Sequence, residues 1–298
     1  MSDSAPSLID PTKLFADIDT KKQYLEGSGL DSEMKSRPDL GADSYVGSGK
    51  LTGRRALVTG GDSGIGAAIA IAFAREGADV AIVHLPEEQS DADDVLELVR
   101  AAGSTGVSIP GDITDSAFCR DLVARTVSEL GGIDVLVNNA GKQQHVEHLT
   151  DLTDEEFDAT MKTNLYAMFW ITKAALPHLP AGSSIINTTS IQAYSPTEYL
   201  VHYAMTKAAI NNFTKGLAQQ LAPQGIRVNA VAPGPIWTPL QPAGGQPPEA
   251  LPDAGSETPS GRWGQPAELA GAYVYLASAA ATYTSGETLN VNGGMPTP

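Results

Sequence analysis

From Arg55 onward, short runs rich in β-branched residues alternate with longer stretches that carry a helical hydrophobic period. Such alternation builds βαβ units, whose right-handed crossovers place parallel strands in one sheet with helices on both faces. The sequence therefore predicts a Rossmann-type, doubly wound α/β fold with a seven-stranded parallel sheet. The predicted strands are 56–59, 80–84, 107–109, 135–138, 184–189, 228–231 and 288–291, and the predicted helices are 64–76, 91–102, 116–130, 154–176, 201–221 and 266–277.

Two segments stand apart from this alternation. Residues 1–52 are polar and broken by prolines and glycines, which predicts an extended arm on the surface of a single domain at 53–298. The stretch 233–266 is dense in Pro and Gly and follows a strand end, where open α/β sheets bind ligands. We interpret it as a substrate-covering loop, and predict that 235–263 closes as a lid.

A glycine-rich turn joins the first predicted strand to the first helix. Gly60 permits the tight turn, Gly64 lets the backbone approach a pyrophosphate, and Gly66 lets helix and strand pack closely. The helix N-terminus also favours negative charge, so a dinucleotide is the natural ligand. The predicted contacts of this turn are Gly60, Asp62, Ser63, Gly64, Ile65 and Gly66.

Tyr203 and Lys207 stand four residues apart on one predicted helix. This spacing brings both side chains to one face, one turn apart. Free tyrosine titrates near pH ~10, and a neighbouring ammonium or an oxidised nicotinamide would lower its pKa toward neutrality. The pair is therefore a candidate for acid–base chemistry.

In order and spacing, these motifs resemble the short-chain dehydrogenase/reductase family. The resemblance rests on Thr-Gly-x-x-x-Gly-x-Gly at 59–66, Asn-Asn-Ala-Gly at 138–141, Tyr-x-x-x-Lys at 203–207 and Pro-Gly at 233–234, and it covers residues 50–294. The arm and several longer stretches are similar to a bacterial branch with an N-terminal extension, known as general stress proteins or aldehyde reductases. Family members are commonly homotetramers, which implies shared surfaces at 201–221 and 289–294.

The resemblance also implies a catalytic set and further cofactor contacts. Tyr203 would donate a proton to the substrate oxygen that Ser190 orients, Lys207 would assist Tyr203, and Asn164 would complete a proton relay. Substrate contacts would come from Ser190 and Tyr203. Gln192, which follows Ser190 closely, and Trp237, in the Pro/Gly-rich loop, are further candidates for substrate contact, and for Trp237 simple anchoring of the loop is an equally open alternative. The remaining predicted cofactor contacts are His84, Leu85, Asp112, Ile113, Asn139, Ala140, Gly141, Tyr203, Lys207, Pro233, Gly234, Ile236 and Thr238.

The choice between NAD(H) and NADP(H) is poorly determined by these positions. His84 stands where NAD-specific relatives carry a carboxylate, and Leu85 and Ser63 stand where NADP-binding relatives carry Arg or Lys. The acidic residues at 87–94 disfavour a 2′-phosphate electrostatically. We therefore expect a weak preference for NAD(H).

Composition excludes several other classes of function. The chain has 19 basic and 35 acidic residues, a net charge of −16 that repels nucleic acid and anionic membranes. Its one cysteine, Cys119, permits no intramolecular disulfide, and residues 1–13 lack the pattern of a secretory signal, so a cytoplasmic location is expected. His145 and His148 have no third ligand in view, so no metal is predicted.

The sequence thus predicts hydride transfer between NAD(P)(H) and a small alcohol or carbonyl substrate. A cofactor-binding sensor or scaffold without turnover is an alternative, although Asn164, Ser190, Tyr203 and Lys207 form a complete set. An epimerase or dehydratase on a related fold is another, but such relatives resemble Thr-Gly-x-x-Gly-x-x-Gly, and three residues separate Gly60 from Gly64 here.

Overall fold

The structure is a computed structural model that describes residues 8–297. Its centre is one parallel sheet of seven strands in the order β3-β2-β1-β4-β5-β6-β7. The predicted fold class is confirmed, and observed strand ends lie within two residues of the predicted ones. The strands are β1 Arg55–Thr59, β2 Asp79–His84, β3 Gly106–Pro110, β4 Val135–Asn138, β5 Ser184–Thr188, β6 Arg227–Pro233 and β7 Thr288–Val291.

Helices cover both faces of the sheet. The inner strands are therefore buried on both sides. One face packs against α1, α2 and α8, and the other against α3, α5 and α6. The helices are α1 Gly64–Arg75, α2 Gln89–Ala101, α3 Ser116–Leu130, α4 Asp154–Met161, α5 Ala167–Ala175, α6 Val201–Leu221, α7 Leu251–Ala254 and α8 Pro266–Ala277. Among residues 8–297, no helix is both long and apolar enough to cross a membrane.

The helix predicted at 154–176 is interrupted. A π-helical turn, Lys162–Tyr166, separates α4 from α5, with Asn164 buried inside it. The carboxamide of Asn164 accepts from the backbone N–H of Lys142 at 2.7 Å and donates to its carbonyl at 2.9 Å. Such π turns widen a helix locally and occur often at functional sites. The turn therefore ties the helix to the chain that follows β4.

The strand order reverses between β1 and β4. β1 pairs with β2 on one side and with β4 on the other, so the connections on its two sides run in opposite directions. In open α/β sheets, the loops diverge at this point and leave a crevice at the carboxyl ends of the strands. The fold thus places the glycine turn after β1 and the segment after β4 in one crevice.

The N-terminal arm, residues 8–52, is more than a surface tail. Its regular structure is a single 3₁₀ turn, Asp31–Glu33, as expected for a polar extended segment. Leu25 and Met34 are nevertheless buried in a small core with Trp237, Leu251 and Trp263. The prediction of an arm lying on the surface is therefore only partly right, because its few apolar side chains bury themselves against the loop after β6.

Candidate active site

A cavity of about 580 Å³ opens at the carboxyl edge of the sheet, where residues following each of β1 to β6 meet. Clefts of this size at the switch point of an open sheet are typical ligand sites. Most residues predicted from the sequence line it. They are Gly60, Asp62, Ser63, Gly64, Ile65, His84, Leu85, Asp112, Ile113, Asn139, Ala140, Gly141, Ser190, Gln192, Tyr203, Lys207, Pro233, Gly234, Ile236 and Thr238.

The glycine turn has the backbone geometry that its sequence predicts. Gly60 and Gly64 have φ values of +61° and +49°, in the left-handed region that favours glycine. A Cβ atom on Gly66 would lie 1.7 Å from the carbonyl oxygen of Gly60, so the turn can close only with glycine there. This close packing directs the N-terminus of α1 toward the cavity, where it can hold an anion.

Asn139 and Thr59 hold this turn against the segment that follows β4. The Asn139 Nδ2 donates to the carbonyls of Thr59 at 3.2 Å and Gly60 at 3.3 Å. In return, the Thr59 Oγ1 accepts from the backbone N–H groups of Asn139 at 2.9 Å and Ala140 at 3.0 Å. Four hydrogen bonds therefore join the glycine turn to the segment that follows β4.

Tyr203 and Lys207 lie in the same wall of the cavity, one turn apart on α6 as predicted. Their exposed fractions are 6% and 3%. Burial raises the pKa of Tyr203 to about 12, against a smaller lowering by its hydrogen bond with Ser190. Burial also lowers the pKa of Lys207 to about 8. In the protein by itself, desolvation thus favours the neutral form of both groups, and the expected lowering of the tyrosine pKa by Lys207 does not appear.

Ser190 stands beside Tyr203 because β5 ends at the cavity. It begins a short 3₁₀ turn, Ile191–Ala193, and its Oγ accepts from the backbone N–H of Gln192 at 3.1 Å. Because this acceptor role uses only a lone pair, the hydroxyl proton is available for the hydrogen bond with Tyr203 or for a ligand in the cavity. Ser190 and Tyr203 together therefore present two hydroxyl groups to a polar atom of a ligand.

The end of β5 holds the side chain of Lys207 in place. Its Nζ donates to the carbonyl of Thr188 at 3.0 Å. A Cβ atom on Gly141 would lie 3.5 Å from Lys207 Nζ and 3.6 Å from Asn164 Oδ1, so Gly141 brings the backbone close to both side chains. The four predicted catalytic residues are thus neighbours, with Asn164 one layer behind the cavity wall.

Comparison with known proteins agrees with this geometry. A family model described as enoyl-(acyl carrier protein) reductase matches residues 60–296. The crystal structure of a short-chain dehydrogenase from Burkholderia cenocepacia J2315 in complex with NADP superposes with a TM-score of 0.77 at 37% identity, covering 82% of this chain and 98% of that one. The chain belongs to the short-chain dehydrogenase/reductase family.

Relatives within the family match most or all of the chain. The uncharacterized oxidoreductase YhxD of Bacillus subtilis (strain 168) is 56% identical and covers 100% of both chains. General stress protein 39 of the same strain is 50% identical, over 89% of this chain and 92% of its own. The chloroplastic NADPH-dependent aldehyde reductase 1 of Arabidopsis thaliana is 42% identical, over 92% of this chain and 96% of its own length. The predicted resemblance to this branch is confirmed.

Two predicted ligand contacts lie away from the cavity of this family member. Gly66 packs behind the turn, as its contact with Gly60 requires. Trp237, predicted to touch the substrate, is 0% exposed. Its ring packs edge to face on that of Trp263, with 5.6 Å between the ring centroids. Its indole N–H donates to the carbonyl of Ser36 at 2.8 Å. Of the two roles predicted for Trp237, substrate contact is therefore wrong and anchoring of the loop is what the structure shows, because the indole N–H finds its buried partner in the arm.

The cavity also has walls that the sequence analysis missed. Gly27 and Ser28 bring the arm to its edge, and Leu240, Gln241 and Gln246 line it from the loop after β6. That loop therefore lines the cavity, while the prediction that it covers a substrate and closes on it stays a prediction. Gly27 and Ser28 lie in a polar stretch without periodicity, which carries no sequence signal for a cavity wall.

Of the two histidines considered as metal ligands, His145 contacts the backbone of the loop after β6. His145 Nδ1 lies 2.9 Å from the carbonyl oxygen of Gly244. Among residues 8–297, no group of three His, Cys, Asp or Glu side chains is arranged to hold a metal ion.

Proposed function

We propose that this protein is a nicotinamide-dependent oxidoreductase that transfers a hydride between NAD(P)(H) and a small alcohol or carbonyl substrate. The observation that carries the proposal is one cavity lined both by the glycine turn of β1 and by Ser190, Tyr203 and Lys207. A dinucleotide site and a pair of proton-handling residues in the same cavity are what such a reaction requires.

The residues present fit a dinucleotide. Positive φ values at Gly60 and Gly64, together with the N-terminus of α1, make a cradle for phosphate groups. The segments Asn139 to Gly141 and Pro233 to Thr238 would hold the rest of the cofactor along the carboxyl ends of β4 and β6. A bound nicotinamide supplies the hydride, and the protein supplies position and proton transfer.

In the reductive direction, the Tyr203 hydroxyl would donate its proton to the carbonyl oxygen of the substrate. Ser190 would donate a hydrogen bond to the same oxygen and orient it. Lys207 would favour the tyrosinate that forms, because an ammonium one helical turn away opposes the cost of a buried negative charge. Asn164 would serve as a positioning residue that fixes the backbone around Lys142 beside Lys207.

The relatives bear on which nicotinamide is used. The Burkholderia structure is an NADP complex, and the Arabidopsis relative is an NADPH-dependent aldehyde reductase. Both favour NADP(H), against the weak preference for NAD(H) predicted from the sequence. Aldehydes are accordingly the first substrates to test, and both cofactors belong in the same assay.

Three further proposals follow the family resemblance and the composition. A homotetramer is supported by exposed apolar side chains on α5 and α6, among them Phe169 at 49%, Val201 at 49% and Met205 at 45%. The net charge of −16 supports a small-molecule substrate and argues against nucleic-acid or membrane partners. The single cysteine supports a cytoplasmic location.

The experiment is a screen of aldehydes, ketones and alcohols with both cofactors, read by absorbance of the reduced nicotinamide. A reductase consumes NAD(P)H in proportion to the alcohol formed. An epimerase or dehydratase would convert its substrate with no net change in absorbance, and a sensor would bind the cofactor without turning it over. Either of those two results would overturn the proposal.

A further inference from the structure

The N-terminal arm reaches the cavity over one short segment, residues 25–31. Gly27 and Ser28, in the middle of this segment, line the cavity. Its two end residues, Leu25 and Asp31, are both buried in the protein. The arm is therefore held on either side of the two residues that face the cavity. We call residues 25–31 the clasp segment.

The first end of the clasp segment is fastened to the loop after β6. The backbone N–H of Leu25 donates to the carbonyl of Pro242 at 3.1 Å. The Leu25 side chain is buried in the small core that the arm shares with this loop. Gly29 also packs closely against the loop, since a Cβ atom there would lie 3.1 Å from the Cβ of Ala243. Backbone and side-chain contacts thus join the arm to the loop.

The second end of the clasp segment is fastened to the glycine turn. The Oδ2 of Asp31 accepts from the backbone N–H of Gly64 at 3.0 Å. Gly64 begins α1, so its N–H has no partner within the helix. This hydrogen bond does not depend on the charge of Asp31, because a protonated carboxyl group also offers an acceptor oxygen. The backbone N–H of Asp31 donates in turn to the Oδ2 of Asp91 in α2, at 2.6 Å.

The glycine turn and the loop after β6 also meet each other directly. A Cβ atom on Gly64 would lie 3.0 Å from the Cγ2 of Thr238. The turn follows β1, in the middle of the sheet, and the cavity extends to both sides of it, to Leu85 after β2 and to Ser190 after β5. A dinucleotide that occupies both parts of the cavity has to pass this contact between turn and loop.

We propose that the clasp segment fastens the loop after β6 to the glycine turn, so that a dinucleotide enters and leaves the cavity only when this fastening opens. Leu25 and Asp31 are then positioning residues for cofactor exchange. The inference rests on the proposed nicotinamide function. The family model does not supply it, because its match begins at residue 60, after the arm. Opening of such a cover limits turnover in many enzymes.

The test measures the rates of cofactor exchange and needs no substrate. Purified full-length protein is mixed with NADH or with NADPH in a stopped-flow instrument, and binding is followed by the fluorescence of the reduced nicotinamide. Release is measured by displacement with an excess of the oxidised nucleotide. Because the clasp contacts lie within the protein, loosening them should raise the association and release rate constants by the same factor. The dissociation constant should then stay within a factor of about two.

Two substitutions loosen the opposite ends of the clasp segment. Asp31→Ala removes the acceptor of the Gly64 N–H, and both rate constants should rise about fivefold, the scale of one net hydrogen bond. Asp31→Asn keeps an acceptor oxygen and should stay within about twofold of the wild type. Leu25→Ala empties part of the core shared with the loop and should raise both rate constants at least ~10-fold. Either end alone keeps the test open if the variant at the other end fails to fold.

The matched controls also come from the arm. Glu33→Ala removes an exposed carboxyl group from the same 3₁₀ turn as Asp31. Leu51→Ala truncates another buried leucine of the arm, one that packs in the core shared with α1 rather than against the loop. Leu51→Ala should lower the free energy of unfolding, as Leu25→Ala does, and leave both rate constants unchanged. This pair separates a loss of stability from a loss of the clasp.

The outcomes distinguish this inference from the proposed function. If neither nucleotide binds, the proposed function fails, and this inference fails with it. If a nucleotide binds but both rate constants of folded Asp31→Ala or Leu25→Ala match those of the wild type, only the clasp is overturned. A rise in the release rate constant alone would overturn it as well, because the arm would then stabilise the bound cofactor without controlling its passage.

Discussion

The Nζ atom of Lys207 lies 5.3 Å from the centre of the Tyr203 ring. Burial of this pair acts on both groups in the direction of neutrality, raising the pKa of Tyr203 and lowering that of Lys207. A tyrosine that keeps its proton at neutral pH is suited to donate it, and a lysine with a pKa of about 8 can exchange protons in the same range. The protein by itself therefore resembles the donor state of a reduction.

Tyr203→Phe tests this role directly. The variant keeps the ring and removes the proton donor, so turnover should fall by roughly 10² or more while the dissociation constant of the cofactor stays within a factor of about three. Initial rates and cofactor titration measure the two effects. Tyr283→Phe, at an exposed site away from the cavity, is the control. Near-normal turnover in Tyr203→Phe would exclude the assignment.

Lys207→Met should separate activity from stability. A pKa lowered from 10.5 to about 8 means that burial disfavours the charged lysine by about 3 kcal/mol below pH 8, a penalty that fades as the pH rises toward the unfolded value. Methionine removes that penalty but leaves the Thr188 carbonyl without its donor, at a cost of about 1–3 kcal/mol.

The two effects in Lys207→Met nearly offset each other. At pH 7 we expect the free energy of unfolding to change by no more than about 1 kcal/mol while turnover falls by about 10² or more. Denaturant melts and initial rates provide the measurements. A loss of stability of several kcal/mol would mean that Lys207 contributes to the core as well as to the chemistry.

The parts of the site that were predictable are those that local sequence encodes. The glycine turn, the Tyr203–Lys207 spacing and the strand ends follow from backbone geometry and hydrophobic period, which act over a few residues. The position of Trp237 depends instead on Ser36, 201 residues away in sequence. Asp31 likewise meets Gly64 only after the arm folds back. Such contacts between distant segments leave no periodic signal.

Trp237→Phe tests the corrected role of that residue. The change removes the hydrogen bond to Ser36 and leaves unfilled volume beside Trp263, so it should lower the free energy of unfolding by about 1–3 kcal/mol. Because Trp237 does not reach the cavity, relative rates across a panel of aldehydes should stay as in the wild type. Gln192→Ala, at a lining residue, should reorder that panel.

A shift in substrate preference for Trp237→Phe as large as that for Gln192→Ala would restore the tryptophan to the substrate site. Gln192 is a suitable comparison because its side chain bonds Thr197 through both polar atoms, at 2.8 Å and 2.7 Å, and still faces the cavity. The two variants therefore distinguish a residue that anchors the covering loop from one that touches the ligand.

The buried carboxyl of Asp31 should make stability depend on pH. Burial raises its pKa to about 7, with Asp91 adding to the rise and Gly64 and Arg37 opposing it. A folded-state pKa above the unfolded one means that the folded protein binds the extra proton, so this stabilisation is complete below the unfolded pKa of 3.8 and is lost as the pH rises through about 7. Burial and nearby Glu88 raise the pKa of Asp62 in the same direction.

Asp31→Asn removes the titration and isolates its contribution from that of every other group. The melting temperature of the wild type minus that of the variant should therefore decrease between pH 5 and pH 8, on the order of several degrees. Thermal melts across this range, with Glu33→Gln as the exposed control, provide the measurement. A difference that is flat, or that grows with pH, would mean that Asp31 is ionised throughout and that its charge is already paired in the folded protein.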